Sequence, residues 1–105
     1  MAKKELYPMG PMKVAPAHPG ELVADLLEDA RRTKGEVATL LRVSRQTLYR
    51  VLEGQSPVTA DMAVRLGKLF GNGPQLWLNM QAAHDAWHAS QRLAKEIDRI
   101  PTLTQ

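Results

Sequence analysis

Two short apolar segments, joined by about three residues, most constrain how this 105-residue chain can fold. The first, VATLL at 37–41, has the apolar spacing of a short helix. The second begins at Ser44, a good N-cap residue, and places Leu48, Val51 and Leu52 on one helical face. Because so short a connection cannot hold two helices antiparallel over a long contact, the pair must cross. The segment therefore predicts a helix-turn-helix.

The rest of the chain carries helical signals and no strand pattern. Helix 1 is expected to begin near His18, because Pro19 suits a first helical position. Thr59 is the expected cap of a fourth helix, and Pro74 opens a fifth that runs to about Ile100. We therefore predict an all-α fold of five helices, of which the C-terminal helix is the longest.

Prolines and glycines indicate how the chain is organised. Residues 7–20 hold four prolines and two glycines, which excludes a helix there. We predict a flexible arm at 1–17, one domain at 18–100 with its helix-turn-helix at about 34–54, and a tail at 101–105. The arm is either an unstructured tail or a segment whose lysines reach a partner protein or the DNA minor groove.

Positive charge is concentrated in one segment. The whole chain carries +3, whereas residues 31–55 hold six bases against two acids, an excess of +4. Such a segment is typical of nucleic-acid binding, and an ordinary solvated face is the alternative. The chain has no cysteine, no run of about 18 apolar residues and no apolar core after its N-terminal lysines. We expect a soluble, cytoplasmic protein without a disulfide or a thiolate metal site.

The exposed face of the second short helix has the composition of a recognition helix. With Leu48 and Val51 turned inward, its first turn presents arginine, glutamine and threonine side chains. Arginine hydrogen-bonds guanine, glutamine hydrogen-bonds adenine, and threonine can hydrogen-bond a base or contact a thymine methyl group, whereas glutamate would repel phosphate. Together with one lysine of the preceding helix, the candidate DNA-binding residues are Lys34, Ser44, Arg45, Gln46, Thr47, Tyr49 and Arg50.

Three stretches carry a family resemblance: HPGE at 18–21, LLRVSRQTLYRVLEG at 40–54 and TADMAVRLGKLFGNGPQLWLNMQAAHDAW at 59–87. Over about residues 18–88 the chain resembles the HigA (VapI-type) antitoxins, within the lambda-repressor-like or XRE family of helix-turn-helix proteins. The resemblance implies a lambda-repressor-like domain that binds double-stranded operator DNA as a homodimer and represses its own operon. It also implies that the protein binds and neutralises a RelE-like ribonuclease toxin, and that it is no enzyme and needs no cofactor.

Two positions depart from the family pattern. Arg42 stands where the family usually has a glycine in the turn, so we expect an altered or mildly strained turn. Lys34 stands where a glutamine often opens the helix and holds a phosphate, and Gly35 weakens that helix start. A lysine can serve a phosphate as a point charge, so DNA binding is expected to survive this change.

The predicted fifth helix carries an apolar stripe formed by Leu76, Met80, Ala83 and Trp87, with Trp77 beside it. We expect the first half of the stripe to pack on the core of the domain. Beyond that core the stripe continues through Leu93, Ile97 and Ile100. We interpret this overhang as a contact with a second copy or with a toxin, and a solvated helix is the alternative.

Two other functions stay open at this point. The first is a stand-alone helix-turn-helix transcriptional regulator without a toxin partner. The second is a small metallohydrolase, because His84 and His88 have the i, i+4 spacing of the H-E-x-x-H zinc proteases. Asp85 replaces the general-base glutamate of that motif, and no third-ligand motif follows. The metal site is therefore a remote alternative.

Overall fold

A computed structural model describes residues 14–103, and this part of the chain is helical, without a strand. Its six helices are α1 (Pro19–Ala30), α2 (Lys34–Leu41), α3 (Arg45–Leu52), α4 (Ala60–Phe70), α5 (Pro74–Arg92) and α6 (Ala94–Ile97). The predicted all-α class is confirmed. The expectations for the first thirteen residues, including the lysines of the arm, and for the last two residues lie outside the described range. Between residues 14 and 103, no helix is both long and apolar enough to cross a membrane.

One apolar core joins the first five helices. Four of them each contribute a side chain with 0% exposure: Val23, Leu48, Leu66 and Trp77. The predicted inward face of α3 is confirmed, since Leu48 and Val51 are buried and Leu52 is partly buried against them. Burying this face leaves the opposite face of α3 in solvent.

Side-chain caps fix where the helices begin. His18 caps α1, because its Nδ1 accepts the Gly20 backbone N–H at 2.9 Å, and Pro19 takes the first helical position. Ser44 caps α3 and Thr59 caps α4 through their hydroxyl oxygens. The predicted starts of these three helices are therefore confirmed.

The start of α1 packs directly against the end of α3. A Cβ atom at Gly20 would overlap with the carbonyl oxygen of Val51, so only glycine allows this approach. Gly54, just beyond α3, has a φ of 74°, as expected for a glycine that ends a helix. The C-terminal end of α3 is thus held by α1, while its first turn lies at the surface.

The long C-terminal helix is shorter than predicted. α5 ends at Arg92, and Leu93, with a φ of −101°, separates it from the four-residue α6. The prediction of one unbroken helix to about Ile100 is therefore wrong. Leu93, Ile97 and Ile100 are exposed, as expected for residues beyond the core.

The buried face of α5 also differs from the predicted stripe. Trp77 and Gln81 are buried, whereas Leu76 is 40% exposed. Two hydrogen bonds hold this face: the Val58 N–H donates to Gln81 Oε1 at 2.7 Å, and Trp77 Nε1 donates to Asn72 Oδ1 at 3.0 Å. The other members of the predicted stripe are partly buried or exposed: Met80, Trp87 and Ala83.

Candidate DNA interface

α2 and α3 form the predicted pair, joined by a turn of Arg42, Val43 and Ser44. Arg42 ends α2 in the left-handed conformation, with φ 63° and ψ 43°. Val43 is partly buried against the core, and its N–H donates to the Ala38 carbonyl at 3.0 Å. A residue with a Cβ atom destabilises such a backbone by roughly 1–2 kcal/mol. The sequence predicted a strained turn because Arg42 stands where the family usually has glycine, and the positive φ of Arg42 is that strain.

An arginine from α4 holds this turn in place. Arg65 Nη1 donates to the Leu41 carbonyl oxygen at 2.8 Å, at the end of α2 where unpaired carbonyls carry partial negative charge. Sequence reasoning missed this contact, because it joins residues 24 positions apart. Arg65 therefore links α2 to α4 through one hydrogen bond of its guanidinium.

A hydroxyl pair builds the first turn of α3. Ser44 Oγ accepts the Thr47 backbone N–H at 3.0 Å, and the Ser44 O–H donates to Thr47 Oγ1 at 2.8 Å. Ser44 thus uses its hydroxyl within the cap, whereas Thr47 keeps its own O–H proton and its methyl group for an external contact. Among the candidate residues, Ser44 has a structural task.

All the candidate residues are exposed, namely Lys34, Ser44, Arg45, Gln46, Thr47, Tyr49 and Arg50. On α3 they flank Leu48, which is fully buried. Arg45 and Gln46 lie in the first turn, and Arg50 lies in the last. The candidate residues of α3 therefore occupy the solvent side of a helix whose other side is part of the core.

Lys34 joins this surface through Tyr49. Its Nζ lies 5.5 Å from the centroid of the Tyr49 ring, within the distance of a cation–π contact. Lys34 is also the first residue of α2, where the helix dipole disfavours a cation. An anion bound beside it would be stabilised by the dipole and by the ammonium group together, so the position suits a phosphate.

Gly35 makes room for Arg45. A Cβ atom at Gly35 would lie 2.9 Å from Nη2 of Arg45 and 3.0 Å from its Cζ, closer than atoms pack without a shift. The guanidinium of Arg45 therefore lies over the first turn of α2, and a side chain at residue 35 would make it shift. The sequence showed Gly35 as a weak helix start, and its role beside Arg45 became visible only in the structure.

Glu36, in the first turn of α2, is held by local partners. Its carboxylate accepts the Thr33 backbone N–H at 2.9 Å, and Thr33 Oγ1 accepts the Glu36 N–H at 3.0 Å. The Thr33 backbone N–H, followed by the Thr33 side chain, lowers the pKa of Glu36, and Arg32 Nη1 lies 3.8 Å from the carboxylate. Across residues 14–103, no carboxylate forms an ion pair with a candidate DNA-binding cation. These cations are available to an external anion.

His84 and His88 lack the surroundings that the metallohydrolase alternative requires. Their ring centroids are 4.5 Å apart, but His84 Nδ1 donates to the Pro16 carbonyl oxygen at 2.9 Å. The His84 ring also packs edge-on against the buried His18, at 5.1 Å between centroids. In the range 14–103, no group of three His, Cys, Asp or Glu side chains is placed to hold a metal ion. The three rings instead link the start of α1 to α5.

Comparison with known proteins places the chain in a family. A family model described as a helix-turn-helix domain matches residues 20–76, more than half of the chain. The antitoxin HigA-1 of Vibrio cholerae is 33% identical over 92 residues, which cover 87% of each protein. The chain belongs to the HigA (VapI-type) family of helix-turn-helix proteins.

Solved structures of HigA-type relatives have the same fold. A candidate antidote protein of a plasmid maintenance system from Nostoc punctiforme is 46% identical, with a TM-score of 0.76 over 87% of this chain and 100% of that one. The antitoxin HigA of Pseudomonas aeruginosa, solved with the higBA promoter, is 33% identical, with a TM-score of 0.79 over 85% of this chain and 99% of that one. The predicted family and fold class are confirmed. The HigA-type family consists of DNA-binding proteins and not of enzymes.

Proposed function

We propose that this HigA-type protein is the antitoxin of a type II toxin–antitoxin module. It binds double-stranded operator DNA in a sequence-specific manner through α3 and represses its own operon by covering the promoter. It also binds and neutralises a RelE-like ribonuclease toxin. The protein acts in the cytoplasm as a symmetric dimer and needs no cofactor, because repression by occupancy requires no chemistry.

The observation that carries this proposal is the exposed first turn of α3. Arg45, Gln46 and Thr47 project from a capped helix start, without an acidic partner for Arg45 in the described residues. In helix-turn-helix complexes this end of the recognition helix meets the base edges, and these three residue types are among those that bind them. The Pseudomonas relative, solved with its promoter, supports DNA binding by this chain.

The dimer and the toxin partner are supported by other features. A two-fold dimer lets one small domain recognise two half-sites. The exposed apolar residues Leu93, Ile97 and Ile100 supply a surface for a second copy or for the toxin. The Vibrio relative is an antitoxin by name, which supports a toxin partner here.

Two single substitutions test the DNA-binding surface. Arg45→Ala should cost about 1–3 kcal/mol on operator DNA and relax specificity at one base pair of each half-site. Lys34→Ala should weaken binding to all sequences alike and lower the salt slope by about one unit per subunit, because it removes a phosphate contact. The measurement is a salt titration of fluorescence anisotropy on two duplexes, the DNA upstream of the protein's own coding sequence and a scrambled version of it.

Arg92→Ala is the control for the loss of a charge. It removes an exposed cation at the end of α5, outside α2 and α3, and should leave both affinities close to those of the wild type. If Arg45→Ala weakens both duplexes equally, α3 is a non-specific basic surface. If neither Arg45→Ala nor Lys34→Ala changes any affinity, the protein does not bind DNA through this surface.

The toxin partner needs its own experiment. The protein is co-expressed with the product of the neighbouring gene in the same operon. Formation of a complex, together with relief of growth arrest caused by that product, supports the antitoxin function. A neighbouring product that neither binds the protein nor arrests growth would leave a stand-alone transcriptional regulator.

A further inference from the structure

Two arginines adopt a backbone conformation that glycine normally occupies. Arg42 has a φ of 63° and Arg31 a φ of 56°, and within residues 14–103 no other non-glycine residue has a positive φ. Arg31 ends α1, and Arg42 ends α2. Because the left-handed conformation crowds a Cβ atom, glycine at either position would give a more stable backbone.

The Arg42 side chain makes no polar contact with the part of the chain that the structure describes. The helix end is closed by backbone groups, among them the Arg42 N–H, which donates to the Thr39 carbonyl at 3.1 Å. The exposed guanidinium forms no hydrogen bond or ion pair within residues 14–103. The groove between α2 and α4 that it lines holds two further cations, Arg65 and Lys68, and, between residues 14 and 103, no carboxylate. No polar contact within the described residues therefore offsets the strain at Arg42.

Arg42 lies beside the end of α3 that faces DNA in the proposed function. It precedes Ser44, the cap of α3, by two residues, so the two Cα atoms are at most about 7 Å apart. The start of a recognition helix lies in the major groove, whose edges are formed by the phosphate backbones. A long cationic side chain just outside the helix start is within reach of these phosphates, and a guanidinium can bind a phosphate through two hydrogen bonds.

We propose that Arg42 is a phosphate-binding residue of the operator complex, kept at a position where glycine would stabilise the fold. The proposal rests on the proposed DNA-binding function and adds one residue to its surface. Backbone strain of this kind recurs at binding sites, where the side chain is used for the ligand. Because phosphates are the same in every sequence, Arg42 raises the affinity for all DNA and confers no base specificity.

Arg42→Gly separates the effect of Arg42 on folding from its effect on DNA binding, because the substitution should raise the stability and lower the DNA affinity. The thermal unfolding midpoint should rise by on the order of 5 °C, since the strained backbone is relieved. The affinities for the upstream duplex and for its scrambled version should fall by the same factor, and the salt slope should fall by about one unit per subunit. The binding deficit should therefore shrink by about 3.5-fold per subunit between roughly 50 and 200 mM salt.

Arg31→Gly is the matched control. It removes the same charge and relieves the same backbone conformation, but at the end of α1, separated by the whole of α2 from the turn that holds Arg42. It should raise the unfolding midpoint as Arg42→Gly does and leave DNA binding and the salt slope at wild-type values. Arg42→Lys keeps both the charge and the strained backbone, so it should keep the wild-type salt slope and lose less DNA affinity than Arg42→Gly, without a gain in stability.

Several outcomes would overturn the inference. If Arg42→Gly binds both duplexes like the wild type, Arg42 is not a DNA contact, while the Arg45→Ala result still decides the proposed function. An equal loss of binding in Arg31→Gly would assign the effect to net charge. A lower unfolding midpoint in Arg42→Gly would show that the arginine does serve the fold. If the wild-type protein binds neither duplex, the proposed function fails first and this inference fails with it.

Discussion

Acidification should destabilise the folded protein through His18. Nδ1 of His18 accepts the Gly20 backbone N–H at 2.9 Å and thereby caps α1. The imidazole is only 7% exposed and lies edge-on to the ring of His84, at 5.1 Å. Protonation places a hydrogen on Nδ1, so that two donors face each other. The charged form of His18 is therefore incompatible with the cap.

The surroundings of His18 give the direction of the pH effect. Burial disfavours the charged imidazole and lowers the pKa of His18 below 6.5, and His84 lowers it further. A hydrogen bond to the Ser56 backbone and the charges of Asp85 and Glu21 act in the opposite direction without reversing the shift. The unfolded chain thus takes up the proton at a higher pH than the folded chain. The stabilisation is fully present above pH 6.5 and is lost progressively as the pH falls below that value.

Two limits bound the size of this effect. One proton can change the free energy of unfolding by at most about 1.4 kcal/mol per pH unit. The interaction that protonation breaks is an N-cap, and the loss of an N-cap costs about 0.5–2 kcal/mol. We therefore expect His18 to account for a loss of about 1 kcal/mol between roughly pH 7 and pH 5.

Chemical denaturation over this pH range measures the loss, with His18→Asn as the matched variant. Asparagine supplies an N-cap oxygen and cannot be protonated, so the variant keeps the cap at every pH tested. The two proteins differ only at residue 18, so the difference between the two profiles isolates His18. The wild type should lose about 1 kcal/mol more than the variant on acidification. Parallel profiles would contradict the proposed role of the cap.

Two further substitutions test the core and the candidate DNA interface. Leu48→Ala should lower the free energy of unfolding by about 2–5 kcal/mol in urea denaturation, because the Leu48 side chain of α3 is fully buried in the core. A variant as stable as the wild type would show that the buried face of α3 is wrongly assigned. Gly35→Ala should stabilise α2 by up to about 1 kcal/mol, because alanine favours a helix more than glycine does. It should nevertheless weaken operator binding in the anisotropy assay, because a Cβ atom would displace Arg45. An unchanged affinity would show that the placement of Arg45 over α2 does not affect DNA binding.

Helix starts and the outward face of α3 could be predicted from the sequence because they depend on neighbouring residues. Ser44 caps α3 through a contact with Thr47, three residues away, so the sequence contains both partners of the interaction. The burial of Leu48 and Val51 then determines which side chains of α3 face solvent. The family resemblance identified Arg42 as the residue in the glycine position, and the positive φ followed from the need to end α2 there.

Contacts between helices could not be predicted in the same way. The ammonium group of Lys34 lies over Tyr49, and the guanidinium of Arg45 lies over Gly35, only because α2 and α3 cross at one particular angle and separation. Sequence spacing within either helix carries no information about that crossing. The composition of the candidate DNA interface was therefore predictable, whereas the arrangement of its charges was not.

The rotation of α5 about its axis could not be predicted from the sequence either. The core does not bury the more apolar stripe through Leu76 and Met80. Gln81 lies inside instead, at 7% exposure, and its Oε1 accepts the backbone N–H of Val58 at 2.7 Å. Leaving that buried donor unpaired would cost about 1–3 kcal/mol, as much as burying one more leucine side chain would gain. The Nε2 of Gln81 donates in turn to Asp85 at 2.9 Å, so the amide is paired at both ends. Burial of Trp77 and the pairing of one backbone donor in a loop 23 residues away therefore together set which face of α5 meets the core, and the spacing of apolar residues within the helix cannot reveal that pairing.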